Sequence, residues 1–246
     1  MTWSIIARDP SGGAIGIAVA SRFFACGAMV PYVGANTAVA SQAFCNPIWG
    51  TEGRARLEAG EPATAVLADF VERDQGQAIR QCHMMDANGQ FMAHTGKDCT
   101  DWAGHLIGDG FSVAGNMLAG PQVVQATAEA LAASCDLPLP RRLLSAMQAG
   151  EAAGGDKRGK QAAGLVIHHG QAHPWLDLRV DDHGDPLSEL ERLLDVAAER
   201  YLYVADEMPT RQRFSGRPDR DALDAKIYRE EKRRQQAGEI SRSLAT

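Results

Sequence analysis

Thr2 is the residue whose type and position point most directly to chemistry. A threonine hydroxyl attacks a carbonyl carbon when a base takes its proton, and a threonine that begins a chain carries such a base in its own α-amine. An α-amine titrates near pH ~8, so part of it is unprotonated under ordinary conditions. Removal of Met1 would therefore give Thr2 both a nucleophile and a base. Retention of Met1 would block the amine and leave a plain threonine in a first strand.

Cys26 and Cys45 are the other candidate nucleophiles. Cys26 follows Arg22 closely, and a cation near a thiol lowers its pKa and favours the reactive thiolate. The simpler interpretation is that both are small buried apolar residues. The chain has 5 cysteines, an odd number without metal-type spacing, and no export signal is evident. This pattern predicts free thiols rather than disulfides.

Several polar side chains are predicted at strand ends or in the turns after them, where they could surround the mouth of one substrate site. They are Ser21, Arg22, Gln42, Asn46, His94 and Asn116. Arg22 would hold a substrate carboxylate in a bidentate fork, and Asn116 would donate a hydrogen bond to an oxyanion. The alternative for the whole set is turn and cap chemistry, which asparagine and glycine perform in most proteins.

The glycine-rich segment 154–159 is a loop that could border this site. It lacks the G-x-x-x-x-G-K-[ST] pattern of a phosphate loop and precedes a strand rather than a helix. Asp156 and Arg158 are predicted to form an ion pair that fixes the loop. Because the sequence shows no nucleotide or cofactor fingerprint, no cofactor is predicted.

An acidic cluster near the end of the last predicted strand has two interpretations. Asp177 and Asp181 would lie on the same strand face as Arg179, because alternate residues of a strand point the same way. They either neutralise Arg179 or hold a divalent ion together with His183. The ion-pair interpretation is the more ordinary one, so no metal site is predicted.

The elements that must position these residues begin with a hairpin. Two apolar runs, Trp3–Arg8 and Ala14–Ala20, flank a turn over residues 9–13 that contains Pro10 and Gly12. Folding the second run back on the first brings Thr2 level with residue 21 or 22. Further strands are predicted over 36–41, 78–86, 90–95, 110–114, 161–168 and 176–181, and helices over 54–59, 63–73, 122–134, 141–150 and 186–203.

Pairs of strands thus alternate with pairs of helices. This order favours an α+β fold, with two stacked, mainly antiparallel sheets covered by helices, over a parallel sheet with single helical crossovers. The domain is predicted to span residues 1–205. Residues 206–246 carry 10 Lys/Arg and 8 Asp/Glu with few apolar side chains, which predicts a charged extension, partly helical or disordered. A solvated tail and a subunit-bridging arm both fit it.

Composition limits the classes of function. The chain is 45% hydrophobic and 23% charged, enough apolar residues for a sizeable core. Its net charge of −6 argues against general affinity for nucleic acids or anionic membranes, and no apolar run approaches the ~20 residues that span a bilayer. The sequence therefore predicts a cytoplasmic protein with a small-molecule partner, compatible with a homo-oligomer.

Five sequence motifs, in one order, resemble the family called domain of unknown function 1028. They are Met1–Asp9, Gly16–Gly27, Gly115–Gly120, Gly154–Gln161 and Asp177–His183, and the resemblance covers roughly Thr2 to Leu194. That family is similar in fold to the N-terminal-nucleophile hydrolases, which implies a four-layer αββα sandwich. The opening also resembles a proteasome β-subunit start, but no lysine precedes Lys97, whereas proteasome-like sites use an early lysine.

Three hypotheses of function follow from these residues. In the first, Thr2 is the nucleophile of an amide hydrolase, Arg22 clamps the substrate and Asn116 helps to form the oxyanion hole. In the second, the same sandwich keeps Met1 and acts as a binding or scaffold protein. In the third, Cys26 is the nucleophile of a cysteine-dependent hydrolase.

Overall fold

The computed structural model describes residues 2–9 and 13–245. Met1 and the tip of the predicted first turn, residues 10–12, lie outside the described residues. Strands occupy β1 (Thr2–Arg8), β2 (Ile15–Ser21), β3 (Pro31–Val33), β4 (Ala38–Ala43), β5 (Arg80–Met85), β6 (Phe91–Thr95), β7 (Trp102–Gly108), β8 (Phe111–Leu118), β9 (Ala162–His168) and β10 (Leu176–Val180). Helices occupy α1 (Cys26–Met29), α2 (Pro47–Glu58), α3 (Ala63–Arg73), α4 (Pro121–Ala133), α5 (Leu139–Ala152), α6 (Pro186–Glu199), α7 (Tyr201–Ala205) and α8 (Arg220–Gln236).

The strands form two antiparallel sheets. One has 6 strands in the order β10-β9-β2-β1-β8-β7, and the other has 4 strands in the order β3-β4-β5-β6. In the larger sheet, β1 is bonded on both sides: Trp3 pairs with Ala20 of β2, and Thr2 pairs with Asn116 of β8. Thr2 is therefore level with Ser21, and the hairpin register predicted from the sequence is confirmed.

The two sheets stack face to face with helices outside them. Helices α4 and α5 pack on the six-stranded sheet, and α2 and α3 pack on the four-stranded sheet. The predicted α+β sandwich of two stacked, mainly antiparallel sheets is confirmed.

Burial on both faces explains why the first strands are almost continuously apolar. In β1, Ser4 and Ile6 face the second sheet, whereas Trp3 packs beside Gly150 of α5 on the opposite face. Part of the space between the sheets is an apolar core of Ile, Val, Ala and Met side chains, which includes Ile6 and Met85. The part beside Thr2 is polar.

The structure differs from the predicted elements at one edge of the larger sheet. Strand β7 was not predicted, because its sequence WAGHLIG contains two glycines and it is only half buried at the edge. Strand β8 continues to Leu118, although Gly115 and Asn116 suggested a turn after Ala114. Pairing with Trp3 and Thr2 holds these two residues in the sheet. The short elements β3 and α1 were also missed.

The chain divides into two compact units, one ending at Leu190 and the other beginning at Glu191. In the second unit, α8 begins at the cap residue Asp219, whose carboxylate accepts a hydrogen bond from the main-chain N–H of Ala222. The described part of the charged extension is thus helical over 17 residues. The predicted domain boundary at 205/206 stays a prediction. No helix among residues 2–9 and 13–245 combines the length and hydropathy needed to cross a bilayer.

Two glycines bring α1 against β9. A Cβ atom built on Gly164 of β9 would lie 2.6 Å from the Cα atom of Gly27 in α1, closer than real Cβ contacts come. Both partners in this contact are main chain, which moves less easily than the end of a side chain. Glycine at position 164 therefore fixes how closely α1 approaches the sheet.

We expect Gly164→Ala to lower the free energy of unfolding by about 1–3 kcal/mol, the usual cost of overpacking. Urea unfolding measures it. Gly184→Ala is the matched control, because a Cβ there meets no atom within 4 Å, and its change should stay within about 0.5 kcal/mol. Equal stability of the two variants would contradict the close approach.

Candidate functional site

Thr2 is held at the start of the central strand with its side chain almost fully buried. Its hydroxyl donates a hydrogen bond to Ser21 Oγ at 3.2 Å. Its main-chain carbonyl accepts one from Asn116 Nδ2 at 3.2 Å. Thr2 is therefore fixed through both its side chain and its main chain by the two strands that flank β1.

A cavity of about 260 Å³ adjoins Thr2. No charged side chain is among the described residues that line it. They are Thr2, Phe23, Cys26, Met29, Val30, Gln42, Ala43, Phe44 and Cys45. The exposed rings of Phe23 and Phe44 and the partly exposed Met29 make the cavity accessible from solvent and apolar. Because Thr2 lines this cavity, we call it the threonine cavity.

A second cavity of about 240 Å³ adjoins the first and shares Ala43 and Phe44 with it. The other described residues lining it are Ile79, Asp98, Cys99, Thr100, Asn116 and Met117. Asp98 supplies the charged side chain in this set, and it is exposed. We call this second cavity the aspartate cavity. It contacts Asn116, the residue whose amide holds the Thr2 carbonyl.

The walls of these cavities contain strained main chain. Ala43 has φ 66° and Met117 has φ 52°, and Ala25, next to the cavity-lining Cys26, has φ 54°. Such left-handed conformations cost about 1–3 kcal/mol for residues other than glycine and cluster at functional sites. Ala43 lines both cavities, so the strain lies in their common wall.

A chain of buried polar side chains fills the space between the sheets beside Thr2. Its members come from β1, β4, β5 and β8 and are Ser4, Gln42, Gln81, His83, Ser112 and Asn116. At its centre, Gln81 Oε1 accepts from Gln42 Nε2 and from Asn116 Nδ2, each at 2.9 Å. Gln81 Nε2 donates to the main-chain carbonyls of Gly104 and Gly115 at 3.0 and 2.8 Å. A carbonyl only accepts, so the orientation of this amide is fixed.

The same reasoning fixes the protonation of His83. Gln42 Nε2 donates to the carbonyl of Ala114, so Gln42 Oε1 faces Ser4 and accepts its hydroxyl proton at 2.7 Å. Ser4 Oγ therefore accepts from His83 Nε2 at 2.8 Å, and His83 Nδ1 accepts from Ser112 Oγ at 2.7 Å. Burial lowers the pKa of His83 to about 3, so the ring is neutral. All six of these buried polar side chains are therefore uncharged.

Gln81, His83, Ser4 and Ser112 were not singled out from the sequence. The available signal was a polar residue at alternate positions of otherwise apolar strands, as in Gln81 and His83 of β5. Ser4 and His83 lie at the distance of a catalytic pair, but both are fully buried and neither lines the cavities described above. Ser4 and His83 therefore have a structural role as a hydrogen-bonded pair in the protein interior.

Arg22 does not line the threonine cavity, which corrects the expectation that it clamps substrate beside Thr2. Its main-chain N–H donates to Asp156 Oδ2 at 2.8 Å, and its guanidinium donates to the carbonyl of Arg158 at 3.2 Å. Asp156 also accepts from the N–H of Arg158 and pairs with its guanidinium at 3.3 Å. These three residues fix the loop 154–159. The ion pair predicted between Asp156 and Arg158 is present.

Asn46 and His94 make cap and packing contacts. Asn46 caps α2 by accepting from the N–H of Ile48, and its amide donates to Asp74. His94 is inside β6, where its ring contacts Trp49 and its Nε2 pairs with the carbonyl of Gln77. Neither lines the two cavities described above, so cap and packing chemistry account for both.

The thiols of the threonine cavity are poor nucleophiles. Burial raises the pKa of Cys26 to about 12, and Asp181 adds to this rise. Burial also raises the pKa of Cys45, although Ser41 and Arg80 partly oppose the rise. All 5 cysteines are free thiols. At neutral pH both cavity thiols remain protonated.

The acidic cluster of the last strand resolves into an ion pair between Asp177 and Arg179, with N and O atoms 3.5 Å apart. Within the described part of the chain, no three His, Cys, Asp or Glu side chains are placed to hold a metal ion.

The segment that forms the sandwich is similar to known proteins. The model of DUF1028, described as a family of unknown function, matches residues 2–190. The chain belongs to the DUF1028 family. A crystal structure of a DUF1028 protein from Silicibacter pomeroyi is similar, with a TM-score of 0.80 and 34% identity over 87% of this chain and 98% of that one. No curated protein matches the chain.

The DUF1028 match ends at Leu190, where the first compact unit also ends. Both cavities and the buried polar chain lie within the matched segment. The site is therefore part of the DUF1028 segment itself.

The neutral state of His83 predicts a pH dependence of stability. In the unfolded chain a histidine titrates near pH ~6.5, so below that pH the unfolded state binds a proton that folded His83 does not. Stability should then fall as the pH drops from ~6.5 toward ~3, by up to ~1.4 kcal/mol per pH unit. His105 and His168, whose pKa values are also lowered by burial, add to the slope.

We expect His83→Gln to reduce this slope, measured by urea unfolding between pH 7 and pH 4. The control is the exposed His173→Gln, which should retain the contribution of His83 to the slope. The slope is the readout because loss of the hydrogen bonds lowers the stability of His83→Gln at every pH. An unchanged slope would mean that His83 is charged in the folded protein.

Proposed function

We propose that this DUF1028 protein is a hydrolase of the N-terminal-nucleophile type, in which Thr2 cleaves an amide bond of a small molecule after Met1 is removed. The observation that carries the proposal is the position of Thr2. It lines an accessible cavity and lies at the start of a buried strand that is paired on both sides. A nucleophile held this firmly needs little reorganisation to reach its transition state.

In the proposed reaction the α-amine of Thr2 takes the hydroxyl proton while Thr2 Oγ forms a bond to the amide carbon. The tetrahedral intermediate then breaks its C–N bond, and the leaving nitrogen takes the proton from the α-ammonium. Water attacks the resulting ester, with the amine again acting as base. The products are a carboxylic acid, an amine and free Thr2.

Two neighbours support the nucleophile in this scheme. Ser21 Oγ lies 3.2 Å from Thr2 Oγ and holds it in place, and in the reaction the hydroxyl proton turns from Ser21 to the α-amine. Asn116 uses its Nδ2 for hydrogen bonds to the Thr2 carbonyl and to Gln81. Because two acceptors occupy its two hydrogens, Asn116 holds Thr2 in place in this proposal rather than donating to the oxyanion.

A non-catalytic binding protein is the second candidate. The uncharged, largely apolar lining of the threonine cavity favours it, because such a cavity binds apolar groups without any reaction. The state of the N-terminus separates the two candidates, since the amine is a base only when Met1 is absent.

The first test uses intact mass and Thr2 variants. We expect the active protein to lack Met1 and to hydrolyse short apolar N-acyl anilides. Thr2→Val keeps the shape without the hydroxyl and should lower kcat by about 10³-fold or more, whereas Thr2→Ser should retain measurable activity. A β-lactone should form an ester on the N-terminal peptide of the parent and of Thr2→Ser, but not on that of Thr2→Val. Full activity of Thr2→Val, or activity with Met1 retained, would refute the proposal.

Cys26→Ala separates this proposal from cysteine catalysis. Because burial raises the pKa of Cys26 to about 12, we expect kcat to change less than about twofold. Thr2→Val, assayed beside it, shows the loss expected for a nucleophile. Loss of activity in Cys26→Ala, with an unchanged unfolding midpoint, would assign the reaction to the thiol.

A further inference from the structure

We infer that the substrate of this site is an amide with an apolar acyl half and a positively charged amine half. This inference rests on the proposed function and names its substrate class. Its basis is the pair of adjacent cavities, which differ in charge and share the wall formed by Ala43 and Phe44.

The chemistry of Thr2 assigns the acyl half to the threonine cavity. Once the C–N bond breaks, the acyl group is an ester on Thr2 Oγ, so it stays beside Thr2 in the cavity that this residue lines. The described lining of that cavity is uncharged, and its rim carries Phe23 and Phe44. Its 260 Å³ has room for roughly nine water-sized groups at ~30 Å³ each, which fits a short alkyl chain with its carbonyl.

The aspartate cavity then takes the leaving amine half. Asp98 contributes the charged side chain among its described lining residues, beside the polar groups of Thr100 and Asn116. A carboxylate at the wall attracts a cationic group and repels a substrate carboxylate. Arg22, which would have favoured a carboxylate, lines a different surface pocket with Lys160 and Asp182.

Phe44 is the residue that both halves share. Its side chain is 70% exposed, lines both cavities, and lies against the guanidinium of Arg80, 5.3 Å from the ring centroid. Because Phe44 is not part of the buried core, its truncation tests ligand contact with little effect on folding.

The test measures binding by calorimetry to Met1-free Thr2→Val, which cannot turn over. We expect N-hexanoylputrescine to bind more tightly than N-hexanoylglycine, and also more tightly than N-acetylputrescine. Phe44→Ala in this background should weaken the hexanoyl ligand about fivefold, and Asp98→Asn should weaken it about two- to fivefold. The uncharged N-hexanoylbutylamine should not respond to Asp98→Asn.

Two exposed residues that line neither cavity supply matched controls. Ile48→Ala and Asp109→Asn should leave each affinity unchanged. Equal or tighter binding of N-hexanoylglycine, or no response to Asp98→Asn, would overturn the inference. If the binding pattern holds but the parent does not hydrolyse N-hexanoylputrescine, the proposed function fails while the ligand class stands. If the parent cleaves amides but prefers the anionic one, the inference alone fails.

Discussion

Burial of carboxamides between two sheets imposes the constraint on which the site depends. A buried amide hydrogen or oxygen without a partner costs about 1–3 kcal/mol, so each carboxamide must meet donors and acceptors on strands of both sheets. Gln81 does this from β5 by bonding to Gln42 on its own sheet and to Asn116 and Gly115 on the other. These bonds are directional, unlike apolar contacts. They therefore fix how one sheet lies over the other at the position of Thr2.

The absence of charge in this polar chain also bears on the proposed chemistry. The described lining of the threonine cavity contains no Lys or Arg, and the nearby His83 is neutral. In the proposed reaction the α-amine of Thr2 would therefore act as the base without help from a lysine or arginine side chain of that lining.

The sequence predicted those features that depend on local pairing. A hairpin register follows from the turn and the two runs that flank it, and so Thr2 was correctly placed beside Ser21. Arg22 was misplaced because the strand ends at Ser21 and the next residue is oriented by Asp156, which lies 134 residues later. His83 and Gln81 were missed because a buried polar residue in a strand becomes informative only when its partners on the opposite sheet are known.

The wall that the two cavities share contains strained main chain at Ala43. Ala43, the last residue of β4, takes up φ 66°, a conformation that a regular strand does not contain, and the next residue, Phe44, is exposed between the two cavities. Hydrogen bonding continues past Ala43, because the N–H of Phe44 donates to the carbonyl of Ile79 at 3.2 Å. The preceding residue, Gln42, is held by buried hydrogen bonds to Gln81 and to the carbonyl of Ala114. The buried polar side chains that position Thr2 thus also hold the residue next to Ala43, in the wall between the threonine cavity and the aspartate cavity.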